Sequence, residues 1–544
     1  MRKKTLSALL CTVAAMAVLT GCGGDKKETA AASAEANTTA AVTEAAKTEA
    51  ETTAAAQTEA GGEKNLVMPS ASCVANLNPL LEGYKEAAML NPIYDPLYVI
   101  DVNETRYYLA DSYEVSEDGM QITVKLKEGL KWHDGEAITA DDMIFTMDVC
   151  SDTNNGAGGT NIVILNDQPV KYEKVDDLTV KVTLPMASAS YADLLGGLTL
   201  IPEHVFEGNP SVVSAGEANM KGIGSGPYKV TEFKQDEYLL LEKYEDYYMG
   251  APSIDKVTFR IISDLSAQEV ALMNGEVNFM ELANAPAVAK YEADPNFTVV
   301  KYPEGRVNYL AVNKFCETVQ DPKVVEAVFA ALNRDEIIAG AYGDGMAESA
   351  NSIFSNVNTF YDPSVEGYTQ DVEKAKQLVK ETGLDSKTLT LYFNSERVYM
   401  KESAQIIQQQ LKNVGINLEV IPLESAGFFE KVFGTDGDYE FYLNGYGAVG
   451  DPDQVVAGMY DGTWGVNLAV SDEVSQLWKD ARTVYTPEER AAIYKQIQIQ
   501  TRDELTCYPI AYPNYVFVTT SNIKGADTIK RTPVFEDYTK LTME

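Results

Sequence analysis

Histidine is almost missing: His133 and His204 are the only two in 544 residues. So few imidazoles leave the chain poorly equipped for histidine-based acid–base catalysis or for a histidine-rich metal centre. Cysteine is nearly as sparse. Cys11 and Cys22 fall at the start, and Cys73, Cys150, Cys316 and Cys507 stand far apart with no C-x-x-C. That spacing argues against a zinc or redox centre and leaves any pairing open. Positive charge is short as well, with 44 Lys and Arg against 81 Asp and Glu, a formal charge of −37. Nucleic acid demands clustered cations against its phosphates and is excluded as a partner. So acidic a chain is well solvated, which says little about what it holds. H-E-x-x-H, G-x-S-x-G and G-x-x-x-x-G-K-[ST] are all absent. No catalytic residue, metal or cofactor is expected.

Long apolar runs are missing too, apart from one near the start. Arg2-Lys3-Lys4 precedes an apolar stretch from Leu6 to Leu19. A basic start and so brief a run read as a secretory signal over residues 1–21, too short for a lasting membrane span. It ends in Leu19-Thr20-Gly21-Cys22, which resembles the bacterial lipoprotein box and makes Cys22 the expected site of lipidation. A lipid on Cys22 would hold the mature chain on the outer face of a cell membrane. Residues 22–63 are Ala, Thr, Glu and Gly with no apolar periodicity, so a disordered tether is expected. At roughly 5–6 Å × √n, its forty residues reach about 35 Å.

From Lys64 onward the apolar share is ordinary, and the length calls for two or three lobes. The first half reads mostly as strands, among them Gln121–Lys127 after an Asp118-Gly119 turn. Thr139-Ala140-Asp141-Asp142 opens a helix with a capping-box pattern, which should bury Met143, Ile144, Met147 and Cys150. Trp132 is expected in the core, and His133 in a turn as a structural hydrogen-bonder. Helices predominate after Asp321: Pro322–Asn333, Val372–Thr382 capped by Gly383, and Lys401–Asn413. With strands at Thr388–Phe393 and Asn417–Ile421 between and after them, a parallel sheet with right-handed crossovers is implied. Helices follow at Val474–Thr483 and Pro487–Leu505, then a strand-like run, Tyr508–Thr519, interrupted by Pro509 and Pro513.

One motif invites an enzymatic reading. Gly445, Gly447 and Gly450 spell G-x-G-x-x-G after a candidate strand, Tyr439–Asn444, and before Asp451-Pro452, a helix start. A dinucleotide site needs the first βα turn of a nucleotide domain and an acid closing the next strand. Asp472 opens a helix instead, and Pro452 crowds the third glycine. The glycines read better as letting backbone approach a ligand.

The ordered series IYDPLY, LADSYEVSEDG, TVKLKEGLKWHDGEAITADD, LIPEHVF, GSGPYKVTEF, LMNGEVNF, YLAVNK, DPKVVEAVFAALNRDEIIAG and NGYGAVGDPD resembles the solute-binding proteins of peptide-type (dipeptide/oligopeptide) ABC importers. The likeness runs over nearly all of Lys64 to Glu544. It implies an α/β, two-lobe periplasmic-binding-protein clamp with an extra domain inserted in lobe I. By that analogy residues 64–305 form lobe I with its inserted subdomain, 306–514 lobe II, and 515–544 the return to lobe I. Two chain crossings, near Arg306–Asn313 and Ala511–Phe517, would form a hinge that bends but resists twist.

The resemblance also suggests how ligand would be met. In relatives the glycine-rich loop usually reads Gly-Trp-x-x-Asp-x-x-Asp-Pro, and its first Asp often holds a peptide's α-amino group. Here Ala448-Val449 stand at that place, Tyr446 replaces the tryptophan as a candidate aromatic wall, and Asp451 and Asp453 are the nearby acids. Gly447 would bring backbone to the ligand. Arg397 lies in the loop whose arginine pairs with a ligand carboxylate in dipeptide-type relatives, a task suited to a planar fork of donors. Arg306 is a second carboxylate candidate, or a hinge salt bridge. Glu82-Gly83-Tyr84 matches a loop lying along the bound peptide, where main-chain bonds give affinity without side-chain choice. Trp464 is a candidate for stacking on ligand. The expected partners are a short peptide or other small solute, membrane permease subunits and the membrane itself, with the protein a monomer. An oligosaccharide cargo, a surface-anchored hydrolase and a sensor or adhesion role are the alternatives; two histidines disfavour nickel or haem as cargo.

Overall fold

In the computed structural model the described residues are 63–81, 89–100, 104–165, 167–447, 450–460, 468, 470–532 and 535–544. They belong to a body spanning Gly61–Glu544. Its first lobe is built on a four-stranded sheet in which Asn65–Ser70 lies parallel to Lys256–Ile261, followed by Tyr238–Lys243 and Tyr228–Lys234. Leu66, Leu239, Leu241, Val257 and Phe259 form the inner face of that sheet.

An antiparallel meander stands apart from it: Ala110–Val115, Gln121–Leu126, Thr179–Thr183 and Lys171–Asp176. Its inward residues Ile122, Val124, Leu126, Val180 and Val182 pack with Met143, Met147 and Cys150 of the helix Ala140–Ser151. The capping box forms as the pattern predicts, Thr139 accepting from Asp141 N–H and Asp142 returning a bond to the Thr139 N–H. Ile144 is only half-buried, and Phe145 takes the inner place beside Phe206. Gly119 supplies the left-handed residue of the Asp118-Gly119 turn, at φ 64°.

Three of the motifs that carry the family likeness interlock here. The Gly226 N–H donates to Ile93 O at 2.8 Å, Asp95 N–H to Ser225 Oγ at 3.1 Å, and His133 N–H to Gly224 O at 3.0 Å. His133 accepts at Nδ1 from Gly224 N–H and, through Nε2–H, donates to Gly226 O at 2.9 Å. Burial lowers its pKa to about 4, so it stays neutral. A Cβ on Gly224 would sit 2.0 Å from Ile93 O, so the backbones leave no room for one.

Beyond Phe279–Glu281, which pairs with the far end of Cys507–Thr520, the sheet carries the second lobe in the order Cys507–Thr520, Arg306–Val312, Phe441–Gly447, Thr388–Asn394 and Asn417–Leu423. The last two are parallel, as expected, joined by the helix Val398–Asn413. Both faces are covered, so alternate residues of each strand enter different cores: Leu310, Val312 and Leu443 one, Tyr309, Ala311 and Tyr442 the other. Cys507–Thr520 belongs to both lobes. Its first part pairs with Arg306–Val312, and its last part pairs with Phe297–Pro303 of the first lobe. Glu304 N–H closes the corner onto Pro513 O at 2.8 Å, and Gly305 makes the turn at φ 70°. Cys150, Cys316 and Cys507 are buried free thiols.

Candidate functional site

The two chain passes set Arg306 beside the glycine segment. Arg306 opposes Gly447 across an antiparallel ladder, its Nε bonds Glu304 at 3.0 Å, and its Nη1 bonds Gly445 O at 3.2 Å. Arg397 occupies the N-cap position of Val398–Asn413 and is exposed; its neighbour Glu396 turns to Ser425 Oγ at 2.6 Å. Burial raises the Tyr399 phenol, and both Arg306 and Arg397 act on it to lower it. Tyr399 stacks on Tyr342 at 5.3 Å, so two guanidiniums and two phenol rings occupy one neighbourhood. Planar donors next to apolar ring surface suit a carboxylate-bearing guest.

Each glycine has its own reason. A Cβ on Gly445 would lie 2.1 Å from Asn308 Oδ1, and one on Gly450 would lie 2.6 Å from Asp193 Oδ2 in a backbone already at φ 66°. One on Gly447 meets nothing within 4 Å among the described residues, which leaves that backbone open on their side. The strand runs straight through Gly447, and the helix after it, Pro452–Val455, is a single turn. Among the described residues no long helix follows this strand to bring its N-terminus to a pyrophosphate.

Three candidates are placed otherwise than as open ligand contacts. Tyr446 is 8% exposed, packs on Tyr309 at 5.1 Å and bonds Ile353 O at 2.6 Å, so it is a core tyrosine at a strand end and not a cleft wall. Strand alternation turns it to the Tyr442 face. Asp451 is locked to Arg490, whose Nη1 and Nη2 reach its oxygens at 2.5 and 3.1 Å, with Tyr494 OH at 3.3 Å. Asp453 takes Arg482 Nε at 2.6 Å and Ser190 Oγ–H at 3.1 Å. Glu82, Gly83, Tyr84, Trp464, Ala448, Val449 and Cys22 lie outside the described residues.

Ser190 belongs to the inserted subdomain and Asp453 to the second lobe, so the lobes touch. Asp451 N–H donates to Asp193 at 3.0 Å, Ala189 N–H to Arg482 O at 3.0 Å, and Tyr485 OH to Gly119 O at 3.3 Å. Asp193, Arg482 and Arg490 escaped the sequence reading, because nothing local marks residues whose partners lie 258, 29 and 39 positions away. Among the described residues no group of three or more metal-ligating side chains forms, and no helix is long and apolar enough to cross a membrane.

Two lobes joined by paired strands, with arginines and glycine backbone at their junction, make the architecture of a clamp that closes on a solute. Comparison with known proteins specifies the family. Residues 104–467 match the bacterial extracellular solute-binding proteins, family 5, and the chain belongs to that family. It is similar to the dipeptide-binding protein of Escherichia coli, 27% identical over 499 residues, covering 85% of this chain and 92% of that one. Among solved structures it is similar to the ABC transporter substrate-binding protein CtaP of Listeria monocytogenes, 33% identical with a TM-score of 0.82, covering 88% of this chain and 99% of that chain. A putative peptide-binding protein AppA of Clostridium difficile is 34% identical with a TM-score of 0.81, covering 88% of this chain and 100% of that chain. The α/β clamp expected from sequence is therefore the fold, and the protein is a binder, not an enzyme.

Proposed function

We propose that this protein captures short peptides between its lobes, hands them unaltered to permease subunits of an ABC importer, and works as a monomer leashed to the outer membrane face by lipid on Cys22. The observation that carries the reading is the open backbone at Gly447 beside Arg306, within a chain whose relatives are named for dipeptides and peptides. Backbone would pair with the peptide's main chain, which gives affinity for many sequences. Arg306 and Arg397 are the proposed receivers of its carboxylate, with Gly447, the Glu82-Gly83-Tyr84 loop and Trp464 as further contacts. Ligand that touches both lobes favours the closed state over the open one, and the permease reads the difference.

Mass spectrometry of small molecules freed by denaturing the purified protein tests this. Short peptides of intact sequence are expected; oligosaccharides alone would reassign the cargo, and cleaved peptides would refute the receptor role. A Cys22→Ser variant should leave the membrane fraction, and light scattering should give the mass of one chain.

A further inference from the structure

The seam where the lobes meet holds three carboxylates and two guanidiniums. Arg490 forks onto Asp451, and Arg482 pairs with Asp453. Among the described residues, Asp193, on the short helix Tyr191–Gly196, has only the Asp451 N–H as a hydrogen-bond partner, at 3.0 Å on Oδ2. Among the described residues no Lys, Arg or His comes within ion-pair distance of it, and Arg490, which acts on it electrostatically, has its two terminal nitrogens on Asp451. Burial, with the Asp451 charge adding to it, raises the Asp193 carboxyl to about 6, against the lowering by the Asp451 N–H and Arg490. That is the behaviour of a part-buried carboxylate short of a counter-charge.

Its surroundings suit a compact cation. Tyr98 and Tyr113 stack at 4.5 Å, and Tyr107 lies 6.0 and 6.2 Å from them. Burial raises the phenols of Tyr98 and Tyr113, and the Asp193 charge raises both further, so these rings share its field. Aromatic rings beside a carboxylate attract ammonium groups. On the opposite lobe, the segment from Gly445 to Gly450 contains no acid, and Gly450 presses its bare backbone against Asp193. The remaining anion near Gly445 and Gly447, Glu304, is held by Arg306.

We propose that Asp193 is the specificity-determining residue that receives the cationic end of the bound solute, the α-ammonium of a peptide. The inference rests on the peptide-binding reading above. It puts the ammonium anchor on the inserted subdomain, whereas the arginines stand on the second lobe, so a zwitterionic guest would tie the two together and complete the charge balance of the closed seam.

The test uses the purified full chain and two degenerate tetrapeptide pools made without Lys, Arg or His, one with free and one with acetylated amino termini. Retention is read by native mass spectrometry. The unsubstituted protein should favour the free-amine pool by about 10-fold or more, the scale of a hydrogen bond to a charged group. Asp193→Asn keeps an oxygen for the Asp451 N–H and should hold both pools at the acetylated level, while Asp193→Glu should keep part of the preference. Thermal unfolding of both variants verifies folding. An Asp193→Asn protein that still prefers free amines, or an unsubstituted protein indifferent to acetylation, would overturn the assignment. Retention of neither pool by the unsubstituted protein would overturn the peptide reading itself, and the anchor with it.

Discussion

Replacing Arg490 by methionine should melt the second lobe far more than the loss of one surface charge would. Arg490 is 6% exposed and Asp451 7%, and the guanidinium is sandwiched against Phe360 at 4.9 Å and Tyr494 at 5.2 Å. Its Nε also holds Ala481 O at 3.1 Å, which ties the helix Asp472–Thr483 to the helix Pro487–Asp503. Methionine preserves much of the stem but leaves the Asp451 carboxylate buried without its cation. Breaking a buried pair this way costs about 3–5 kcal/mol. For a lobe of about 200 residues each kcal/mol moves the midpoint by about 2–4 °C, so a fall of about 10 °C is expected by calorimetry at pH 7. Adding Asp451→Asn removes the stranded charge and keeps an acceptor for the Asp453 N–H, which Asp451 caps at 3.1 Å. The double variant should therefore melt between the single variant and the parent. A single variant within 2 °C of the parent, or a double variant less stable than the single, would refute the account.

Gly224→Ala should be among the most damaging small substitutions in the first lobe, because the new methyl would meet Ile93 O at 2.0 Å; soluble yield and melting temperature should both collapse, and a normal melt would mean the loop relaxes freely. Asp95 is buried, and that burial, with the Asp537 charge adding, raises its carboxyl to about 7 although Tyr247 and Tyr248 hydroxyls donate to it at 2.8 and 2.7 Å. Because the fold raises this pKa, its contribution is fully present below about pH 4 and is lost as pH rises toward 7. The melting temperature of the parent should thus drop by several degrees relative to Asp95→Asn between those limits, and parallel profiles would exclude Asp95 as the cause. Arg397→Ala should weaken binding of peptides with a free carboxylate, by calorimetry, without changing the melt; unchanged affinity would remove it from the site.

Local signals were legible where short-range chemistry decides the backbone. The Thr139 box and the left-handed Gly383 cap at φ 68° both need only neighbours in sequence. The helix expected over Pro322–Asn333 stops at Ala331, and Asn333 instead caps a second helix that was not expected, Arg334–Ala341, by accepting from Glu336 N–H. The interruption expected at Pro509 and Pro513 is instead a bend in one continuous strand, with a register shift opposite Pro509 and the passage between lobes at Pro513. Three of the quoted family motifs, those around Asp95, His133 and Ser225, were easy to see, and they hold the first lobe together. The charge pattern of the seam was invisible, because Asp193 and Asp451 are separated by 258 positions and only the closed fold brings them together.

The strand Cys507–Thr520 has a consequence for how the molecule is made. It lies between Phe279–Glu281 and Arg306–Val312, so each half lacks an interior edge partner until that strand is delivered. A ribosome emitting this chain cannot complete either half early and leave it behind as a finished unit; assembly waits for a segment translated long after both of its neighbours. Synthesis order and mature architecture are thereby coupled, and a polypeptide destined for export stays pliable for as long as its passage takes.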